Sequence, residues 1–121
     1  MSVISNYAAN AMLDSVLADK TVYVGLHISD PGVLGDYGSE VASGDYVRQV
    51  VTFSGAGSRT TGNTTLVQFL GMPECSVSHI AIWDSITTGN LISFKELLTP
   101  IAVTEGQTFV IPATTIAVTL T

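Results

Sequence analysis

The sequence predicts a mainly β protein, an antiparallel β-sandwich of about eight strands with one N-terminal α-helix. Two observations carry that prediction. Apolar residues recur at helical spacing up to Lys20 and at every second position after it, so one helix precedes a run of strands. Between the alternating segments lie clusters of Gly, Asn, Asp and Ser, the residues that turn a chain tightly. The 121 residues suit a single domain, with 1–20 as the helical part and 21–121 as the sandwich.

The helix opens at Ser5, whose hydroxyl can accept a free amide of the first turn. Ile4, Ala8, Met12 and Val16 follow at intervals of four, and Leu13 and Leu17 widen the stripe. Lys20 closes the segment, where a cation suits the negative end of the helix dipole. Such a stripe can lie on the protein's own sheet or on a partner.

"TVYVGLH" then sets Val22, Val24 and Leu26 against Tyr23, Gly25 and His27, a strand with one buried face. "ISDPGVLGDYGSEVASGD" is a long loop with a turn at Asp30-Pro31-Gly32. "YVRQVVTFS" is a strand with Val47, Val51 and Phe53 on one side and Arg48 on the other. "GAGSRTTGN" reads as a polar connection, and "TTLVQFLGM" places Val67 and Phe69 on one face. From Val77 to Asp84, Ile80 and Ile82 share a face while His79, Ala81 and Trp83 share the other. Gly89-Asn90 turns a hairpin into "LISFKELL", with Ile92 and Phe94 inward. A second hairpin is expected around Glu105-Gly106, and "TTIAVTLT" is a last strand running to the terminus.

Composition narrows the function. Apolar residues make up 46% of the chain and charged residues 12%, about half the charged share of an ordinary soluble protein. Ser, Thr, Asn and Gly supply the polar surface, which suits faces covered by neighbours. Net charge is −6, and the four cations Lys20, Arg48, Arg59 and Lys95 are scattered. They form no basic stripe to displace counterions, so neither nucleic acid nor an anionic membrane is an expected partner. No apolar run is long enough to span a bilayer, and the start lacks the basic residues of a signal peptide. Cys75 has no second cysteine to pair with and reads as a small hydrophobe at a strand entrance.

Chemistry has few candidates. His27, near Ser29 and Asp30, could do acid–base work, but no motif recruits a nucleophile beside it. Two histidines and one cysteine are too few ligands for a zinc site, and no cofactor motif is present. Asp30, Asp36, Glu40 and Asp45 share a Gly-rich loop of the kind calcium favours, yet their spacing does not match an EF-hand. They read as solvated charges. "GAGSRTTGN" lacks the lysine and following helix of a phosphate loop, so Arg59 reads as a surface or interface cation. Trp83 and Asp84 are adjacent on a strand and point to opposite faces, so they do not act jointly. Trp83 reads as a structural anchor.

In order along the chain, "VYVGLHISDPG", "GDYVRQVVTFS", "VSHIAIWDSITTGNLISF" and "VTEGQTFVIP" resemble a family of small virion proteins of tailed bacteriophages. Its members look like head-decoration or minor capsid proteins, often loosely labelled tail fibre proteins. Gln107 stands where that family commonly has an acid. The resemblance implies a structural protein with no catalytic residues, one that decorates the capsid by binding the major capsid protein and neighbouring copies of itself. It implies residence on the capsid surface of the virion after assembly in the host cytoplasm. The alternative is a tail fibre or tail-tip component that contacts the host surface. The expected interface residues are Ile4, Ala8, Met12 and Val16 on the helix and Asp30, Asp36, Glu40 and Asp45 in the loop.

Overall fold

A computed structural model describes residues 3–120. The N-terminal helix, α1, spans Asn6–Leu13, and Ser5 caps it by accepting the Ala8 amide at 3.2 Å. The next turn, Asp14–Ala18, widens into a π-helix in which the Asp19 amide bonds the Asp14 carbonyl at 2.8 Å. The Asp14 carboxylate receives the Ala56 amide at 2.7 Å, tying this turn to a distant loop.

Eight strands follow: β1 Val22–His27, β2 Gln49–Val51, β3 Thr60–Gly62, β4 Val67–Phe69, β5 Cys75–Trp83, β6 Leu91–Val103, β7 Phe109–Ile111 and β8 Ala117–Thr119. Every pairing is antiparallel. One sheet runs β2-β1-β5-β6, and two ribbons, β3-β8 and β4-β7, make up the rest. Val22, Val24, Leu26 and Ile82 from the sheet meet Val67, Phe69, Phe109 and Ile111 from the second ribbon in a single apolar core. The result is a mainly β sandwich with one helix, as the hydrophobic periods predict.

The helix joins that core through Leu13 and Leu17, with Ala9 buried above them. The expected stripe lies one residue round the helix. Met12 is 49% and Val16 38% exposed, Ile4 is exposed and Ala8 half-buried. Both stripes have the spacing of a buried face, and the one with two leucines removes more apolar surface from water.

Four further expectations change for non-local reasons. β3 forms inside the stretch expected to be a plain connection, because β8 returns to pair Thr61 with Val118. The turn at Glu105-Gly106 forms, with the Gln107 amide on the Thr104 carbonyl at 3.1 Å, but its arms do not pair. Val103 pairs Cys75 and Phe109 pairs Phe69, so this turn crosses between layers instead of closing a hairpin. Around β2, Val51 and Phe53 point inward and Arg48 lies on the opposite, Trp83 face as expected, but Val47 is exposed and Arg48 is buried. Ile92 packs against the core, whereas Phe94 is half-buried beside His79, at 6.2 Å between ring centroids. The shift in register between Ile82 and Trp83 separates the two. Of the last strand, Thr121 lies outside the described residues.

β6 is an edge strand, and its register slips where Val77 faces Ile101 and His79 faces Glu96. Residues 97–100 therefore bulge opposite Ser78, carrying Pro100 and the fully exposed Leu98. A proline and a bulge both interrupt the ladder a foreign strand would need, so this edge resists sheet-to-sheet pairing.

If the helix belongs to the core through Leu17, Leu17→Ala should cost about 2–5 kcal/mol. Met12→Ala, on the outward side, should stay within about 0.5 kcal/mol of the parent. Urea unfolding followed by circular dichroism separates the two, and equal losses would mean that the wrong face has been assigned as buried.

Candidate functional site

The sheet has a second face, and the most elaborate polar arrangement in the molecule lies on it. Tyr23 pairs Trp83, Gly25 pairs Ala81 and His27 pairs His79, which puts all six on the side away from Val24 and Ile82. The loop after β1 folds back across this face. Its 3-10 turn, Tyr37–Ser39, is capped by Asp36, and single backbone pairings join Glu40 to His27.

Arg48 fastens the assembly. Its guanidinium lies over the Trp83 ring, 4.1 Å from the centroid. Nε donates to Glu40 Oε2 and Nη2 to Glu40 Oε1, both at 2.9 Å, a two-pronged pair matched to the planar carboxylate. Nη1 donates to the carbonyls of Ser85 and Thr88 at 2.9 and 2.8 Å, which ties the β5–β6 turn to the same cation. The Arg48 side chain is 3% exposed, so removing any of these acceptors would strand charge out of water. Tyr46 donates its hydroxyl to Glu40 and accepts the Leu26 amide at 2.8 Å. Burial, with Glu40 beside it, pushes the Tyr46 phenol well above its ordinary range.

A second chain of hydrogen bonds runs beneath. Ser39 Oγ donates to the Asp36 carbonyl at 2.9 Å, so it is the acceptor for His27 Nδ1 at 2.7 Å. That assigns the His27 proton to Nδ1 and leaves Nε2 to accept Trp83 Nε1–H at 3.3 Å. A neutral ring fits this chain, and desolvation by burial holds the His27 pKa below its ordinary value. Gly25 is required here. A Cβ at that position would stand 2.9 Å from Glu40 Oε2 and 3.1 Å from Trp83 Nε1.

Among the described residues no buried side-chain nitrogen or oxygen lacks a hydrogen-bond partner. Each polar group of this cluster is turned toward another part of the chain, so the arrangement clasps a loop to a sheet. Arg48 alone reaches Glu40, Ser85 and Thr88.

The four loop acids are placed separately. Asp30 Oδ1 accepts the Gly32 amide at 2.7 Å and Asp36 Oδ1 the Gly38 amide at 2.9 Å, each closing its own turn. Glu40 is bound to Arg48, and Asp45 lies against Gly71. Among the described residues no three His, Cys, Asp or Glu side chains gather as a metal-binding group. His79 is buried with Nδ1 on Ser78 Oγ at 2.7 Å. Asp84 closes the hairpin turn by accepting the Asn90 amide and side chain, and those bonds hold its carboxyl below the usual carboxylate range. Gly89, at φ 75°, is needed in that turn because a Cβ would lie 2.6 Å from Asp84 Oδ1. Arg59 is engaged with the chain ends, donating from Nε to the Leu120 carbonyl and from Nη1 to the Ile4 carbonyl.

Trp83 was legible as an anchor from the sequence, but Arg48, Tyr46, Tyr37 and Ser39 were not. The available signal was Tyr46-x-Arg48 in a chain with only four cations, a buried-pair pattern that mimics an alternating strand.

Exposed apolar side chains collect at several places, among them Val47, Val50, Leu66 and Leu70 beside β2 and β4. Val33 and Leu34, 88% and 98% exposed, form the tip of the clasped loop. On the other side of the molecule an apolar groove of about 410 Å³ opens between β5–β6 and the segment running from β7 into β8.

A family model described as Podophage GP4 fiber I protein gp80 matches residues 3–119. No curated protein matches the chain.

Two outcomes test the clasp. Arg48→Met should cost about 3–5 kcal/mol by leaving Glu40 half-buried and unpaired. Adding Glu40→Gln to it should restore part of that loss in urea unfolding. An unchanged midpoint in the single variant would show that the loop is not fastened by charge.

The second is a pH dependence. Between the depressed folded pKa of His27 and its ordinary value of 6.5, the unfolded chain takes up a proton that the folded chain refuses. This contribution is therefore whole above pH 6.5 and drains away below it. The melting temperature should fall as pH drops from about 7 to about 5, before the carboxylates titrate. The His27→Gln variant, less stable throughout, should show a flatter slope over that range.

Proposed function

The chain belongs to the podophage GP4 fiber I protein gp80 family, and on that premise we propose that it is a non-catalytic structural subunit of a phage tail fibre. In this reading it packs against copies of itself and against neighbouring virion proteins. The observation that carries it is the family match across residues 3–119, because the family's description names a fibre component of a bacteriophage. The same description gives no support to a place on the capsid surface or to the major capsid protein as partner, the more specific expectation from the sequence.

The physical character of the chain supports a packing role. Its buried polar side chains are engaged in internal hydrogen bonds, its charge is sparse, and it keeps exposed apolar surface. A subunit surrounded by neighbours can keep such surface, whereas on a free monomer it favours aggregation.

Quantifying this chain against the major capsid protein in purified virions tests the location. A fibre subunit should be present at a small fraction of the capsid protein, and gold-labelled antibody should mark the tail. A ratio near one to one, with label over the head, would replace the fibre reading with capsid decoration.

A further inference from the structure

We propose that the apolar groove receives the Val33–Leu34 loop tip of a second copy, so that copies join head to tail. This rests on the reading of a subunit that packs with itself and specifies how.

The groove has walls of Ile80, Ile82 and Leu97 on one side and Ile111, Ile116 and Val118 on the other. Among the described residues lining it, Lys95 is the only charged one. Lys95 pairs Ile80 across β5–β6 and so shares the groove's face. Of the other cations, Arg48 and Arg59 are bound within the chain. The groove therefore presents an apolar floor with one positive charge at its rim.

The loop tip is the complement. Val33 and Leu34 project from Asp30-Pro31-Gly32 and are followed by Gly35-Asp36, so two apolar side chains stand between two acids with no cation near in sequence. The tip is held in shape before it binds anything. The Gly35 amide bonds the Gly32 carbonyl at 3.1 Å and the Asp36 amide bonds the Pro31 carbonyl at 2.7 Å. Tyr37 anchors the loop through its hydroxyl on the Gly89 carbonyl at 2.6 Å. An apolar tip already fixed in one conformation loses little entropy on docking.

Geometry makes the contact intermolecular. The loop covers the Trp83 face of the sheet, while the groove opens on the Ile80 and Ile82 face. One copy's tip thus meets another copy's groove, using two different surfaces. Contacts of that kind generate a ring where the rotation closes and a column where it does not.

The test uses the full chain alone, so it can fail while the fibre reading, tested by copy number and labelling in virions, stands. Sedimentation equilibrium should show association that strengthens with concentration up to about 1 mM, the range of a weak single contact. Leu34→Asp should weaken that association at least about tenfold through the loss of one buried apolar side chain. Ala117→Glu, at an exposed position lining the groove, should do the same by placing an acid opposite the acidic tip. Circular dichroism melts of both variants should match the parent.

Mixing the two variants decides the geometry. The Leu34→Asp copy keeps its groove and the Ala117→Glu copy keeps its tip, so together they should form a dimer that grows no further. Lys95→Glu should weaken association by placing an acid opposite the acidic tip. A parent that stays monomeric throughout overturns the proposal. So does undiminished association of Leu34→Asp, which would give the groove to another segment such as the Met12–Val16 side of the helix. A mixture of variants that stays monomeric overturns the head-to-tail arrangement as well.

Discussion

The stacking of Arg48 on Trp83 is the contact on which the rest of this fold depends. A four-stranded sheet has two faces, and the helix and ribbons cover only one of them. The other face carries a tryptophan, two histidines and a glycine, a surface neither apolar enough to seek a second core nor polar enough to face water. One guanidinium resolves this by offering a flat face to the indole and five N–H donors around its edge. Those donors reach Glu40 in the loop and the Ser85 and Thr88 carbonyls in the β5–β6 turn. A long loop and a hairpin turn, far apart in sequence, are thereby fixed relative to the same strand.

That arrangement has a consequence for the loop tip. A chain from Ile28 to Asp45 with many glycines would ordinarily sample many shapes. Here the clasp holds both its ends and its middle, so Val33 and Leu34 are displayed on a defined turn. Internal fastening and external display are two effects of one set of hydrogen bonds.

The opposite side of the molecule is less finished. Among the described residues β6 pairs only with β5, and the strands of each ribbon pair only with each other, so the two layers do not close along the β6 side. The apolar groove is the space left by that incomplete closure. The bulge at residues 97–100 interrupts the backbone ladder that a foreign strand would need along the neighbouring edge.

By itself the sequence determined what chain neighbours control. Ser5 caps the helix, Gly89 turns the hairpin, and the alternation from His79 to Trp83 puts the indole on the face away from Ile82. These follow from local backbone geometry, in which successive side chains on a strand must point to opposite faces. Tertiary structure decided what depends on competition between distant surfaces. Both helix stripes have the right period, and only the core could select Leu13 and Leu17 over Met12 and Val16. The arms of the Glu105–Gly106 turn look like a hairpin, but pairing with β5 and β4 places them in different layers. Arg48 sits in an alternating pattern that predicts exposure, and it is buried because a carboxylate eight residues earlier and an indole on another strand meet it there. A charge enters a protein interior only when partners from elsewhere in the chain replace its water, and no local pattern can state where those partners will be.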